Sequence, residues 1–383
     1  MKICAIICEF NPFHNGHKYL IERAKELSGC DAVLCIMSGN FTQRGDICIL
    51  DKYTRAKHAV LGGADGVIQL PAEFAVAPAE IFARGAVKIL SAIPEVTTLA
   101  FGCECGKAVD FIESAIILSR ESEEFKSELE KNLSTGKSFI KSYAEAFKHE
   151  GGNKEIISNP NNILGLEYTK AVLKINPDIA VLPVPRVGAG HKSTELRENY
   201  SSASAIRQNM QSPLVLRNLP DYVFDDLKFP ADVSAFSSVV RQCLFFADKE
   251  NLVRIYGCAE GLENRLKNLA AEPLNDVIEK CTSKRYSSAR IKRLVCANML
   301  KLYKDDCEKF IDADLYLKIL AVSNKSADYM LPALAKSSYT MISNSNGSTL
   351  NGDARACFEK DKFEHAVYNF ITGGNIKDSM IVI

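Results

Sequence analysis

The sequence predicts a doubly wound α/β domain with a parallel sheet, followed by a mainly helical C-terminal domain. Three observations predict it. Short runs that are apolar throughout, rich in Ile, Val and Cys, recur along the first half. Segments of helical period separate them. Beyond Asn209 the apolar runs fade. Strands without polar alternation, joined by helices, belong to a parallel sheet covered on both faces.

In chain order, strands are expected at Ile3 to Cys8, Ala32 to Met37, Gly66 to Leu70, Thr97 to Gly102 and Ile179 to Val184. Helices are expected at His17 to Leu27, Lys52 to Leu61, Ala79 to Ile93 and Ile163 to Leu173. The charged stretches "RESEEFKSELEKNL" and "SFIKSYAEAFKHEGG" form a helical insertion over about 107–152, with solvated faces. The α/β domain then covers 1–210, and 211–383 is mainly helical from Pro213 to about Asp314. The tail containing "SNSNGSTLNGD" has no assignable period, and no internal repeat is found.

Lysine plus arginine equals aspartate plus glutamate, at 47 each, so a polyanionic partner must be drawn by a local patch. The thirteen cysteines form no C-x-x-C pair and fit buried, reduced thiols rather than a disulfide framework or a zinc knuckle. Cys103 and Cys105, one residue apart, are expected on the same face of a strand, as packing rather than metal or redox groups. Met1 leads directly into a strand-like segment without a signal-peptide pattern, and no apolar run is long enough to span a bilayer. A cytoplasmic protein with no membrane association is expected.

The chemistry concentrates at the first strand-to-helix turn, "NPFHNGH", Asn11 to His17. A helix starting near Gly16 offers free N–H groups and its positive dipole end to an anion. Gly16 lets the backbone approach a ligand closely. Pro12 stiffens the turn. His14 and His17 are placed to donate imidazole N–H bonds to phosphoryl oxygens. A surface cap or a zinc pair are the competing readings. Zinc finds no Asp or Cys at ligand spacing beyond Cys8 and Glu9 on the strand. Strand before and helix after favour phosphate.

The strand, "NPFHNGH" and helix together resemble the H-x-G-H signature of the nucleotidyltransferase superfamily. "SSASAIR" resembles that superfamily's later Ser/Thr-rich, Arg-ended element, with Ser202, Ser204 and Arg207 at matching spacing, Ala203 in place of a frequent Ser, and Ser in place of Thr. More widely, "CEFNPFHNGHKYLI", the block from "MSGNFTQRGD" to "ARGAVKIL", "FGCE", "NPNNILGLEY" and "PRVGAGH" are similar to the bacterial tRNA(Met) cytidine acetate ligases, from Lys2 to about Met210.

The resemblance implies a nucleotidyltransferase-type fold and a ligase that uses ATP, with magnesium expected alongside it. Such an enzyme forms acetyl adenylate from acetate and passes the acetyl group to the wobble cytidine of elongator tRNA(Met), giving N4-acetylcytidine. No obligate protein partner is implied. The implied ATP segment is Ile7, Cys8, Glu9, Phe10, Asn11, Pro12, Phe13, His14, Asn15, Gly16, His17, Lys18, Tyr19 and Leu20. Gly102, Asn162, Arg186 and Val187 are the further nucleotide positions. His14, His17 and Arg207 would act on the phosphates, with Ser202 and Ser204 beside them. Asn162 also reads as a helix cap. In "SGNFTQRGD" and the helix after it, Asn40, Gln43, Arg44, Lys52 and Arg55 are candidates to seat acetate or the target base, or are simply solvated.

"SKRYSSARIKRLVCANMLKLYK", Ser283 to Lys304, is basic without an acid, and helical register places Arg290 and Arg293 on one face. Such a strip suits an RNA backbone. Two rivals remain: another small-molecule adenylyltransferase on this fold, and a non-catalytic RNA-binding protein.

Overall fold

The computed structural model of the chain describes residues 1–187 and 195–383. β1 (Ile3–Cys8), β2 (Ala32–Ser38), β3 (Gly66–Leu70), β4 (Val96–Cys103) and β5 (Ala180–Pro185) form where the apolar runs place them. They pair in parallel in the order β5-β4-β1-β2-β3. Every residue of β1, β2 and β3 is buried, as expected for strands covered on both faces. One face carries Ala5, Leu34, Ile36 and Ile68 against apolar residues of the helices Ala79–Ser91 and Pro160–Ile175, among them Val87 and Leu166. The other carries Cys4, Ile6, Cys35 and Val67 against α1 (Asn15–Ser28) and α2 (Lys52–Leu61), through Ile21, Ala24, Ala56 and Ala59.

From β1 the chain builds outward through β2 and β3, then returns to place β4 and β5 on the opposite side. The carboxyl ends of β1 and β4 therefore flank a topological switch point, where open α/β sheets hold their ligands. The insertion is helical as expected, with helices Ala108–Arg120, Glu123–Ser134 and Phe139–His149.

The region 211–383 departs from the helical expectation at its end. After helices running to Asp312, β6 (Tyr316–Val322) joins the sheet antiparallel to β3. β7 (Thr340–Ile342) and β8 (Ile381–Val382) then pair with β6 in parallel. The intervening helices form their own apolar cluster around Val240, Leu244, Leu266 and Leu294. The 21-residue helix Gly352–Thr372 gives Phe358 to the sheet's core and Ile371 to the helical cluster, binding the two together. A short apolar run such as "YLKILAV" does not distinguish strand from buried helix by pattern, and β7 and β8 are too short to show a period.

Lys318 interrupts that run, with its ammonium buried and paired with Asp378. Lys52, also fully buried, pairs with the same carboxylate at 3.0 Å, and the Tyr53 hydroxyl donates to it at 2.5 Å. Burial, and then Lys52 nearby, push Lys318 down to about 8. Against the opposing effect of burial, Lys52 and Lys318 hold the Asp378 carboxyl well below its usual range. Its stabilising contribution is therefore complete at neutral pH and is lost only as pH falls through that lowered value. Asp378→Asn leaves two buried ammonium groups side by side; urea unfolding at pH 7 should show a loss of about 3–5 kcal/mol. A change under about 1 kcal/mol would mean that the pairing is energetically idle.

Candidate active site

α1 begins in an uncommon way. Its N-cap is His14, whose Nδ1 accepts the Gly16 N–H at 3.1 Å, while His17 Nδ1 accepts the His14 N–H at 3.3 Å. This is a reciprocal capping box built from two imidazoles where Ser and Glu ordinarily stand. The rings stack, with centroids 3.6 Å apart and planes 25° from parallel. With each Nδ1 engaged as an acceptor, the neutral rings carry their proton on Nε2. The two rings thus stand at the positive end of the helix dipole.

Gly16 is explained differently from the expectation. A Cβ there would stand 2.9 Å from His14 Cε1 and 3.1 Å from Nδ1, so the absent side chain makes room for the capping ring itself.

The two histidines line an open cleft with about 390 Å³ of free space at the switch point. Gly16, Tyr19 and Leu20 of α1, Gly102 of β4, Val184 to Val187 at the end of β5, and Tyr200 complete its wall. The sequence-predicted Gly102, Arg186 and Val187 are therefore brought together with the histidines. Arg186 is tied to β4 by its N–H to Cys103 O at 2.9 Å, and burial lowers its guanidinium pKa. Tyr200, Val184 and Pro185 were not foreseen. Tyr200, at φ 60, sits directly before the "SSASAIR" cap, and its ring meets that of Tyr19 at 6.2 Å. The last residues of "PRVGAGH", 188–191, lie outside the described residues.

The rest of the opening segment supports the wall. Ile7, Cys8, Phe10 and Phe13 are core residues, with the Phe10 ring 4.7 Å from that of His17. Asn11 accepts the Ile49 N–H at 3.1 Å, and Pro12 is buried after a cis peptide bond. Asn15 donates to Arg217 O at 2.9 Å. Lys18 is exposed and faces Glu22 at 3.9 Å. Arg207 does not line the cleft: its Nη1 donates to Asn11 O and its Nη2 to Ser204 Oγ at 3.4 Å. Ser202 caps the helix Ala203–Gln208 through the Ala205 N–H.

Asn162 is neither a cap nor a cleft residue; the N-cap of its helix is Asn159. Fully buried, it accepts the Glu104 N–H at 2.8 Å and donates to Cys105 Sγ at 3.0 Å, fixing the turn after β4. β4 ends at Cys103, so Cys105 falls in that turn rather than on Cys103's face of the strand. All thirteen cysteines are free thiols.

The loop after β2 also differs from expectation. Asn40, Lys52 and Arg55 are fully buried and engaged. Asn40 accepts the Lys52 N–H at 2.8 Å and donates to Glu364. Arg55 gives its N–H groups to the carbonyls of Leu50, Glu9, Ser38 and Gly39, joining the ends of β1 and β2. Gln43 donates from its N–H to Glu9 Oε1 at 2.6 Å and from its amide to Ala77 O at 3.0 Å. Arg44 alone of the five is exposed. A polar, glycine-punctuated loop left open a seat for acetate or the target base, or plain solvation; it is clamped from both sides.

The helix Ser288–Leu300 supplies one clamp. Gly45, at φ 78, lies against it so closely that a Cβ would stand 2.6 Å from Arg293 N. Arg293 Nη1 donates to Gln43 O at 3.3 Å, and its pKa falls to about 10 through burial and the neighbouring Arg290. Arg290 donates to Gly257 O at 2.9 Å, and its guanidinium lies 4.7 Å from the Tyr286 ring centroid.

Gly16→Ala should push the His14 ring from its capping position. Calorimetric titration with inorganic pyrophosphate is expected to show at least a tenfold loss of affinity, about 1.4 kcal/mol, with the fold intact by circular dichroism. Unchanged affinity would show that the capped ring does not hold phosphate.

The "HIGH Nucleotidyl Transferase" family model matches residues 1–380. The chain is 34% identical over 366 residues to the tRNA(Met) cytidine acetate ligase of Acetivibrio thermocellus, covering 89% of this chain and 88% of that protein. It is also 34% identical to the Clostridium tetani protein of the same name, covering 93% and 94%. Thermotoga maritima TmcAL superimposes with a TM-score of 0.89 at 29% identity in its apo crystal structure, and with 0.86 at 28% when bound with alpha-thio ATP, each over 100% of both chains. Matched over nearly its whole length, the chain belongs to the HIGH nucleotidyltransferase family and, within it, to the tRNA(Met) cytidine acetate ligases.

Proposed function

We propose that this protein activates acetate with ATP as acetyl adenylate and transfers the acetyl group to the wobble cytidine of elongator tRNA(Met). The observation that carries the reading is the imidazole capping box, which sets His14 and His17 in the wall of the switch-point cleft.

In the first step an acetate oxygen attacks the α-phosphorus, the bond to the bridging oxygen breaks, and pyrophosphate leaves in line. Charge grows on the leaving phosphates, where His14, His17 and the N-terminus of α1 stabilise it. No side chain need form a covalent bond; positioning supplies the rest. Tyr19, Gly102 and Tyr200 form the adenosine wall of the cleft. Arg207 braces the loop through Asn11 O and adds positive charge beside it. Magnesium belongs to the nucleotide in this reading, held by its phosphates. Among the described residues no group of three His, Cys, Asp or Glu is placed to hold a metal ion.

In the second step the cytidine amine attacks the acetyl carbonyl and AMP departs. A wobble base is unpaired enough to be splayed into a pocket. Arg290, partly buried, and Lys284, exposed in the preceding loop, are the cations assigned to RNA, whereas Arg293 of the expected pair turns to the loop after β2. No helix among the described residues is long and apolar enough to cross a membrane, and the place of action we infer is the cytoplasm, with its tRNA.

Incubation with ATP, labelled acetate and total bacterial tRNA, followed by nucleoside analysis, should yield N4-acetylcytidine. His14→Ala and His17→Ala should each lower acetate-dependent ATP–pyrophosphate exchange by about 100-fold or more. Transfer of AMP to a nucleotide or phosphopantetheine acceptor would instead identify an adenylyltransferase. Lys284→Glu combined with Arg290→Glu should weaken tRNA binding about tenfold or more at 150 mM salt and lower the slope against salt concentration. Unaltered tRNA affinity would place the RNA elsewhere.

A further inference from the structure

One acid at the carboxyl end of β1, outside the cleft's wall, has no part in the chemistry described so far. Glu9 follows β1 directly, one residue before the Phe10 ring that packs on His17. Its Oε1 accepts the Gln43 N–H at 2.6 Å, and among the described residues Oε2 accepts no hydrogen bond. Its carbonyl takes a hydrogen bond from the buried Arg55.

The position of this carboxylate relative to the cleft is informative. The cleft occupies the α1, β4 and β5 side of the sheet's carboxyl edge. A nucleotide there leaves the β1–β2 side, closed by the loop around Gln43, for the acyl group and its acceptor. Glu9 stands at that seam. The seam's other acids are engaged: Asp46 pairs with Lys292 at 3.3 Å, and Glu364 accepts from the Asn40 backbone and side chain.

Acetyl transfer needs a proton acceptor. When the cytidine N4 lone pair attacks the acetyl carbon, a C–N bond forms and nitrogen becomes cationic. The C–O bond to the adenylate phosphate then breaks, and AMP leaves with the electron pair. One N4 proton must go to a base as this happens.

We propose that Glu9 is the general base of acetyl transfer, taking the N4 proton on Oε2 and returning it to solvent after AMP leaves. This rests on the ligase reading above and assigns to Glu9 a role in its second half alone. Burial raises the carboxyl above its ordinary value, which the Gln43 N–H, Arg44 and Arg55 partly offset and Asp46 reinforces. Cys8, Cys48 and Tyr168 face it from β1, the loop after β2 and the helix Pro160–Ile175, and burial pushes all three away from ionisation. A carboxylate so raised is a stronger base than one in water, and transfer should quicken as pH rises through its titration.

The test separates the two half-reactions in the full-length enzyme, using acetate-dependent ATP–pyrophosphate exchange for the first and single-turnover transfer to tRNA(Met) from preformed acetyl adenylate for the second. Glu9→Gln keeps the acceptor for the Gln43 N–H. It should slow transfer by about 100-fold or more, at least tenfold beyond any loss in exchange, and abolish its rise with pH. Glu9→Asp should restore a rise with pH. Transfer within about threefold of the parent, or equal loss in both half-reactions, would overturn the assignment and leave Glu9 a brace for the loop. Absence of acetate-dependent exchange in the parent enzyme is a separate result: it would overturn the ligase reading, and this role with it.

Discussion

A guanidinium with no exposure to solvent holds the carboxyl edge of this sheet together. Arg55 enters from α2 and spreads its N–H groups over the carbonyls of Leu50, Glu9, Ser38 and Gly39. Among the described residues no carboxylate bonds it directly; the carbonyl dipoles at the strand ends, with Glu9 nearby, compensate its charge. Each carbonyl stripped of such a donor would cost roughly 1–3 kcal/mol if left buried without another. The ends of β1 and β2 therefore cannot move independently, and the loops that carry His14 and Gln43 are fixed relative to one another.

On this frame the two sides of the edge take different tasks. Towards β4 and β5, stacked imidazoles stand at a helix N-terminus in the wall of the cleft, where we propose that phosphate is held. Towards β2, a loop clamped between Glu9, Glu364 and Arg293 closes over the seam where we propose acyl transfer. The clamp reaches across the fold, since Arg293 belongs to the helical region and Glu364 to the long C-terminal helix. The helices beyond residue 211 thus contribute to the construction of the sheet's carboxyl edge.

The parallel sheet was legible because strands buried on both faces must be apolar throughout, and β1 and β3 match their expected limits residue for residue. β6 to β8 were not, since one apolar run, three residues and two residues carry no period. At the site, His14 and His17 were legible because a strand-to-helix turn declares where they lie, while Gly102 and Arg186 were reached through the family resemblance. For Asn40, Lys52 and Arg55 the sequence left a seat for acetate or the target base, or solvation, undivided, and only the tertiary fold shows a lysine and an arginine with no exposure. Glu9 was visible only as part of a segment, because its partner, Gln43, is 34 residues away in sequence.

The most direct measurement is a crystal structure with a non-hydrolysable ATP analogue. The account places phosphate oxygens about 2.7–3.2 Å from the Nε2 atoms of His14 and His17, with adenosine against Tyr19, Gly102 and Tyr200. Phosphates bound away from both imidazoles, with the switch-point cleft empty, would contradict it.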